Sequence, residues 1–151
     1  MGLYDKITGT KYPCRGVAPL PAGPLREALL ALGGSGVPFR VREAFAKERA
    51  DLVAEWRIQQ LGLTLRTRMR FVTDEREVLA LDERWRATPT SRQYGRGPAP
   101  MIQKEWTFER GPDGRRRRVE SFGFDSREMK NPLRNTVLDA GWTWRGRLYR
   151  W

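Results

Sequence analysis

The strict alternation of apolar and polar residues between Leu61 and Val72 constrains the fold of this 151-residue chain most. The odd-numbered residues there are mainly apolar, and Arg66, Arg68 and Arg70 fall on the other side, which is the period of a half-buried strand. A polar turn at 73–76 leads into a second alternating run that includes Leu79, Leu81 and Trp85. Two such runs across a short polar turn predict a β-hairpin.

A second hairpin and one ambiguous segment extend the predicted sheet. Ile102, Trp106 and Phe108 alternate with polar residues, the turn sequence 111–114 follows, and 115–124 returns as the partner strand. Alternation also predicts a strand over Leu52–Ile58, after a turn or helical stub before Ala50. A single long helix over 42–60 stays open as the alternative, because Glu43–Glu48 has helical propensity.

Two helices flank the strands. Leu25, Leu29 and Leu32 follow Pro24 at helical spacing, so a helix is predicted over 24–32. Asn131-Pro132 predicts the start of a second helix, which Gly141 ends. A last strand is predicted over 144–151. The predicted fold is α+β, with an antiparallel meander of about five to six strands and both helices on one face. Residues 1–23 are expected to form an irregular arm, and 24–151 a single domain.

The residue types leave little for catalysis. The chain has no histidine and one cysteine, Cys14, which excludes triads with a histidine base, Cys/His zinc sites and internal disulfides. Glu83 and Lys104 fall on the apolar sides of their strands. Each is either a buried catalytic group or a residue whose charged end reaches water near the end of a strand. No paired carboxylates have diagnostic spacing. We predict no catalytic residue, no metal and no cofactor, and the balance weighs against an enzyme.

The positive charge points to anionic partners but has two explanations. The formal net charge is +11, and 24 of the 29 basic residues are arginine. Such a charge attracts nucleic acid, anionic lipid or acidic proteins. Arginine codons are also GC-rich, so a high-GC genome raises arginine content without selection for binding. Both explanations stay open.

Three segments are candidate binding sites. Arginine and aromatic residues together suit phosphates and bases, while an edge strand kept polar on one side is the structural alternative. A long loop is predicted over 88–100, with disorder as its alternative. The candidates are Arg115, Arg116, Arg117 and Arg118 on one hairpin arm, Arg145, Arg147, Arg150 and Trp151 at the C-terminus, and Arg92, Tyr94 and Arg96 in the loop.

The arginines at 66, 68 and 70 are expected to lie on a solvated face held by cross-strand ion pairs. If four neighbouring strands share that face, their charges sum to only +1, so most of the excess must lie elsewhere. The residues in this sum are Asp51, Glu55, Arg57, Arg66, Arg68, Arg70, Asp82, Arg84, Arg86, Glu105 and Glu109.

The hydropathy pattern predicts a cytoplasmic protein. No stretch approaches the ~18 apolar residues of a transmembrane helix. No apolar core of a signal peptide is visible at the N-terminus. Assembly into a homo-oligomer stays open.

Three sequence segments carry a resemblance to a family. They are MGLYD with TGTK at the start, DLVAEWRI at 51–58 and GWTWRG at 141–146. Together they resemble a family of small actinobacterial proteins that has no assigned activity, so no functional residue follows from it. Family members have a longer stretch after the middle segment, whereas here Gln59-Gln60 lead directly into the next strand. The resemblance implies a strand at 52–58, a cytoplasmic location and a high-GC origin.

Three functions are consistent with these observations. The first is a small, basic, non-enzymatic binding or structural module that recruits nucleic acid or an acidic protein surface. The second is a small-molecule-binding or catalytic domain with an aromatic-lined pocket bordered by Glu83, Lys104 or Tyr94. The third is a subunit of a larger assembly, in which the N-terminal arm docks on a neighbour.

Overall fold

The chain divides into two compact units. A computed structural model describes residues 2–34, 36–87 and 89–151, of which 120 and 121 are described by their backbone alone. The sheet unit contains the chain up to Pro98 together with Met129–Trp151, and the hairpin unit is Ala99–Glu128. The single domain expected over 24–151 stays a prediction.

The sheet unit is built on six strands, and the fold is α+β as predicted. Five strands follow each other antiparallel in chain order, and the sixth pairs parallel with β4. The elements are α1 (Leu3–Thr8), α2 (Ala22–Leu32), β1 (Arg40–Glu43), β2 (Leu52–Ile58), β3 (Leu63–Val72), β4 (Glu77–Ala87), β5 (Arg92–Arg96), β6 (Ile102–Arg110), β7 (Arg116–Asp125), α3 (Arg127–Asp139) and β8 (Thr143–Arg147). Strands β6 and β7 pair with each other in the hairpin unit.

The ambiguous segment at 42–60 is a strand, not a long helix. β2 occupies Leu52–Ile58, and a 3-10 turn, Ala46–Glu48, precedes it. Every residue of β2 pairs with β3. Successive side chains of β2 point to opposite sides of the sheet, as the alternation in the sequence predicts. The helical propensity of the residues before β2 does not extend a helix into it.

Both long helices begin earlier than the sequence predicts. α2 begins at Ala22, so Pro24 is its third residue. α3 begins at Arg127 and contains Pro132, which was expected at its first position. Pro132 has no N–H to donate to the carbonyl of Glu128, and a proline ring crowds the carbonyl four residues before it, so the helix gives up one hydrogen bond there. The α3 residues Met129, Leu133 and Val137 are all buried, and this stripe carries the helix past the proline.

The loop expected over 88–100 contains a strand. β5 (Arg92–Arg96) pairs with β4 from Glu83 to Ala87, and Thr88 lies outside the described residues. The exposed, mostly polar residues of β5 do not alternate in hydropathy, so the sequence pattern does not predict this strand. Gly95 allows close packing, because a Cβ atom there would lie 2.7 Å from Nε of Arg84. The final strand is also shorter than the predicted 144–151, and it pairs parallel with β4.

All three helices lie against one side of the sheet, the helix face. Arg26 of α2 forms an ion pair with Glu43, and Lys130 of α3 with Asp82, each at 3.0 Å. The end of α1 approaches Gly146, where a Cβ atom would overlap the backbone oxygen of Thr8. The buried strand side chains of this face are Leu52, Ala54, Trp56, Ile58, Leu63, Leu65, Thr67, Met69, Val78, Ala80 and Trp144.

Part of the arm expected over 1–23 is ordered on the sheet unit, whereas Met1 lies outside the described residues. Lys11 pairs with Trp144 through two backbone hydrogen bonds of 2.8 and 2.9 Å. The carbonyl of Leu20 accepts a hydrogen bond from Nε1 of the buried Trp142 at 2.7 Å. The N-terminal segment therefore completes the core of its own unit.

Candidate functional site

The opposite side of the sheet, the arginine face, carries most of the strand arginines. Directly paired residues point to the same side of a sheet, and alternate residues along a strand do too. The strand pairing therefore assigns ten arginines and only three acids, Glu55, Glu77 and Glu83, to this face. The arginines are Arg40, Arg42, Arg57, Arg66, Arg68, Arg70, Arg92, Arg96, Arg145 and Arg147.

This composition corrects the balanced face expected from the sequence. Arg66 pairs with Glu83, so Asp82, Arg84 and Arg86 lie on the helix face instead. The 3-10 turn Thr73–Glu75 places Val72 opposite Glu77 and thereby sets which side of β4 joins which side of β3. A shift of one residue exchanges the two faces of a strand. The acids expected from 105 and 109 belong to β6, which is not part of this sheet.

Glu83 is the buried acid at the centre of the arginine face. It is 2% exposed. Its carboxylate lies 2.5 Å from Nε of Arg68 and 3.2 Å from a guanidinium nitrogen of Arg150, and it accepts a 2.5 Å hydrogen bond from the hydroxyl of Tyr94. Desolvation, and then the neighbouring Glu83, raise the pKa of Tyr94, so its hydroxyl stays protonated at neutral pH and donates. The buried charge is therefore compensated from three sides.

Glu48 is a second buried acid, and it binds the 3-10 turn Ala46–Glu48 onto the arginine face. Arg42 donates to both of its oxygens, at 2.7 and 3.0 Å, and the Phe45 backbone N–H donates at 2.7 Å. Arg66 lies 3.7 Å away. The hydrogen bond from Arg42, more than any other contact, lowers the pKa of Glu48 from 4.5 to about 2.

We predict that Glu48→Gln flattens the acid side of the stability profile. Because the folded pKa of Glu48 is depressed, its contribution is complete above pH 4.5 and is lost as the pH falls toward 2. At ~1.4 kcal/mol per pKa unit, the wild type should lose about 2 kcal/mol more than the variant between pH 7 and pH 3. Urea unfolding at pH 7, 4.5 and 3 measures this difference. Parallel profiles for the two proteins would contradict the prediction.

The predicted C-terminal candidates lie on or beside the arginine face, but most have structural partners. Arg145 forms an ion pair with Glu77, and Arg150 contacts Glu83. The indole Nε1 of Trp151 donates to the backbone oxygen of Arg49. Among the described residues, Arg147 has no acidic partner. This segment therefore helps to hold the sheet unit together.

The predicted loop candidates belong to the same face, on β5. Tyr94 is 43% exposed beside the half-buried Trp85, with ring centroids 5.3 Å apart. The Arg96 guanidinium stacks over Tyr94 at 5.8 Å and over Tyr149, which is 66% exposed, at 5.3 Å. Arg92 is exposed. The fold thus brings together residues that are up to 59 positions apart in the chain, from Arg92 to Trp151.

Four arginines of the face are available to a partner. Within the described chain, none of them has an ion pair, a side-chain hydrogen bond or a ring contact. Arg40 and Arg70 were not among the final candidates from sequence, since only strand pairing shows that they join the same surface as the C-terminal residues. The four are Arg40, Arg70, Arg92 and Arg147.

The hairpin unit holds the other candidates, Arg115–Arg118. Arg118 stacks over Trp106 at 4.3 Å and Arg116 over Phe108 at 5.6 Å, and both rings are exposed. Arg117 lies 3.9 Å from Asp113. These contacts are within the hairpin, on a unit separate from the arginine face.

The remaining sequence candidates show no catalytic arrangement. The Glu83 side chain is fully buried under its partners, so it does not open to solvent. Lys104 is exposed on β6, and Cys14 is an exposed free thiol. In the described ranges, no acidic, histidine or cysteine side chains cluster as metal ligands, and no helix is long and apolar enough to cross a membrane.

Comparison with family models, curated proteins and solved structures finds no match to this chain. The family resemblance carried by the three sequence segments therefore stays a prediction.

Proposed function

We propose that this protein is a non-enzymatic binding module that holds a single strand of nucleic acid on its arginine face. The observation that carries the proposal is the composition of that face, ten arginines against three glutamates. Glu48, Glu55, Glu77 and Glu83 neutralise only the arginines they contact. The charge of the four free arginines remains for phosphates.

The shape of the face favours a single strand over a duplex. A major groove accepts a helix or a two-stranded ribbon, and a six-stranded sheet is too wide for it. Single strands lie on open sheets, where guanidiniums contact phosphates and bases stack on aromatic rings. The exposed ring of Tyr149 supplies such a stacking position beside Arg96. An acidic protein surface would use the arginines but not the ring faces.

The test is fluorescence anisotropy of labelled dT20 and rU20 with the full chain at 50–300 mM salt. We expect micromolar affinity that falls linearly in log salt, with a slope of about −0.7 for each phosphate contacted. The triple variant Arg40→Gln, Arg92→Gln, Arg147→Gln should bind more than 10-fold more weakly, with a slope shallower by about 2. The matched control, Lys6→Gln, Lys11→Gln, Arg15→Gln, removes the same charge from exposed positions off the face.

Three results would refute the proposal. If the protein does not bind dT20 or rU20 at 150 mM salt, the high arginine content reflects composition and not nucleic-acid binding. Equal weakening of the triple variant and its control would show that only total charge matters. Polyglutamate that competes as well as dT20 would identify an acidic protein surface as the partner.

The hairpin arginines need a separate variant. Arg115–Arg118 changed together to serine should leave thermal stability nearly unchanged, because exposed substitutions have small effects. If this variant alone loses binding, and a duplex binds better than dT20, the hairpin is the binding element and the assignment to the sheet is wrong. A severe drop in melting temperature would instead make these side chains structural.

A further inference from the structure

A surface pocket of about 270 Å³ opens where the 3-10 turn Ala46–Glu48 leads into β2. Its lining residues are Arg49, Ala50, Asp51 and Arg70. Two backbone-anchored contacts shape the wall. The Asp51 N–H donates to the oxygen of Met69 at 2.9 Å, and Oδ2 of Asp51 accepts from the Phe71 N–H at 2.7 Å. The pocket is thus part of the β2–β3 pairing and does not depend on a free loop.

Arg49 is in a backbone conformation that arginine disfavours. Its φ is +50°, in the left-handed region. The next 3-10 turn, Gln59–Leu61, ends in the same conformation with Gly62, the residue type that adopts it without strain. A third such turn ends with Arg76, whose guanidinium donates to Leu20 and lies 5.9 Å from the Trp142 ring. Arg76 therefore has a structural use for its side chain.

Arg49 has no such use. In the described parts of the chain its guanidinium has no ion pair, hydrogen bond or ring contact, and the Trp151 indole binds its backbone oxygen, which any residue would offer. Residues in strained backbone conformations whose side chains do not stabilise the fold are typical of functional sites. The side chain borders a pocket shared with Arg70, which is also exposed and free of partners within the described residues.

The charges of the pocket select the ligand. Two arginines and one aspartate line the pocket, and one oxygen of the aspartate carboxylate already accepts a backbone N–H. A phosphate monoester carries close to two negative charges at pH 7 and offers three oxygens, enough for both guanidiniums. A lone carboxylate offers two oxygens and one charge. A surface pocket of this volume accommodates a phosphate together with one small carrier such as a sugar.

We propose that this pocket binds a phosphate monoester. Arg49 and Arg70 hold the phosphate oxygens, and the free oxygen of Asp51 accepts a hydrogen bond from a hydroxyl of the carrier. The monoester has two sources, a free sugar phosphate or the terminal phosphate of a nucleic acid, and only the second rests on the proposed function.

Calorimetric titration of the full chain with ribose 5-phosphate in 150 mM NaCl tests the site. We expect a submillimolar Kd, and no heat of binding with ribose. Arg49→Gly and Arg70→Gln should each weaken binding at least 10-fold, whereas Arg15→Gln, which removes an exposed arginine that does not line the pocket, should not change it. Arg49→Gly should also keep or raise the melting temperature, since glycine relieves the left-handed strain. This combination separates loss of a ligand contact from loss of structure.

Anisotropy with 5′-phosphorylated and 5′-hydroxyl dT12 distinguishes the sources. A several-fold gain from the phosphate that disappears in Arg49→Gly supports the terminal phosphate. Binding of ribose 5-phosphate without that gain supports a free sugar phosphate, and this result stands even if dT20 does not bind at all. Equal affinity of wild type and Arg49→Gly for ribose 5-phosphate, or a lower melting temperature of Arg49→Gly, overturns the proposal.

Discussion

Replacing Trp144 by alanine is expected to lower the free energy of unfolding by about 3–5 kcal/mol, the range for truncating a buried tryptophan. Trp144 is 1% exposed on the helix face, where it lies opposite Val78, and its backbone pairs with Lys11. Alanine leaves a cavity that the surrounding helices and strands cannot fill. With ~2–4 °C per kcal/mol for a chain of this size, the melting temperature should fall by about 10 °C.

Tyr149→Ala is the matched control for this substitution. Tyr149 is an aromatic residue five positions later and is 66% exposed. Its loss removes one stacking contact with Arg96, which is worth about 0.5–1 kcal/mol at an exposed site. Urea unfolding of both variants measures the comparison. A neutral effect of Trp144→Ala would mean that the ring is exposed in solution and available to a binding partner.

The second large effect is expected from Glu83→Gln, at about 3–5 kcal/mol. Removing one partner of a buried ion pair leaves the other charge without compensation. The Arg68 side chain is only 13% exposed, so water cannot replace the lost carboxylate. The hydrogen bond from Tyr94 and the contact with Arg150 weaken at the same time. Thermal and urea unfolding at pH 7 measure the loss.

Glu43→Gln is the control for the buried acid. The Glu43 side chain is 70% exposed and pairs with Arg26, and exposed pairs of this kind contribute only about 0–1 kcal/mol. The double variant Arg68→Met, Glu83→Leu should recover much of the stability lost in Glu83→Gln, because an apolar pair of similar volume replaces a buried ion pair at little cost. If Glu83→Gln is no worse than Glu43→Gln, the ion-pair network does not stabilise the face.

These networks divide the arginines of the sheet into two groups. Arg42, Arg57, Arg66, Arg68 and Arg145 contact acids and hold the face together, as does Arg150 beside the face. The free arginines lie around them. Binding of an anion therefore does not have to break the internal ion pairs, and substitutions in the two groups are expected to separate stability from affinity.

Much of the fold was predictable from local pattern. Alternation located β2, β3, β4 and the β6–β7 hairpin, since a strand places successive side chains on opposite sides. Pro24 and Pro132 predict the first helical positions, but the helices begin at Ala22 and Arg127. In α3 the buried stripe begins with Met129, before the proline. β5 escaped prediction because an exposed edge strand of polar residues has no hydropathy period.

The sequence predicted several residues of the candidate site, but it did not predict that they lie on one surface. Arg92, Tyr94, Arg96 and the C-terminal arginines were candidates from residue type alone. That they share a surface with Arg40 and Arg70 depends on β5 and β8 both pairing with β4, which no local pattern contains. Arg49 gives no signal in the sequence, because its left-handed backbone follows from how the 3-10 turn meets β2.

The sequence by itself determined the α+β class, the positions of most strands and the absence of histidine chemistry, since each depends on composition or on the period of neighbouring residues. Tertiary structure alone decided the charge of the sheet face. Alternation divides each strand into two sides, but it does not say which sides of neighbouring strands join. The four-residue connection from Val72 to Glu77 sets that choice, and a shift of one residue would have placed Asp82 beside Arg66 instead of Glu83.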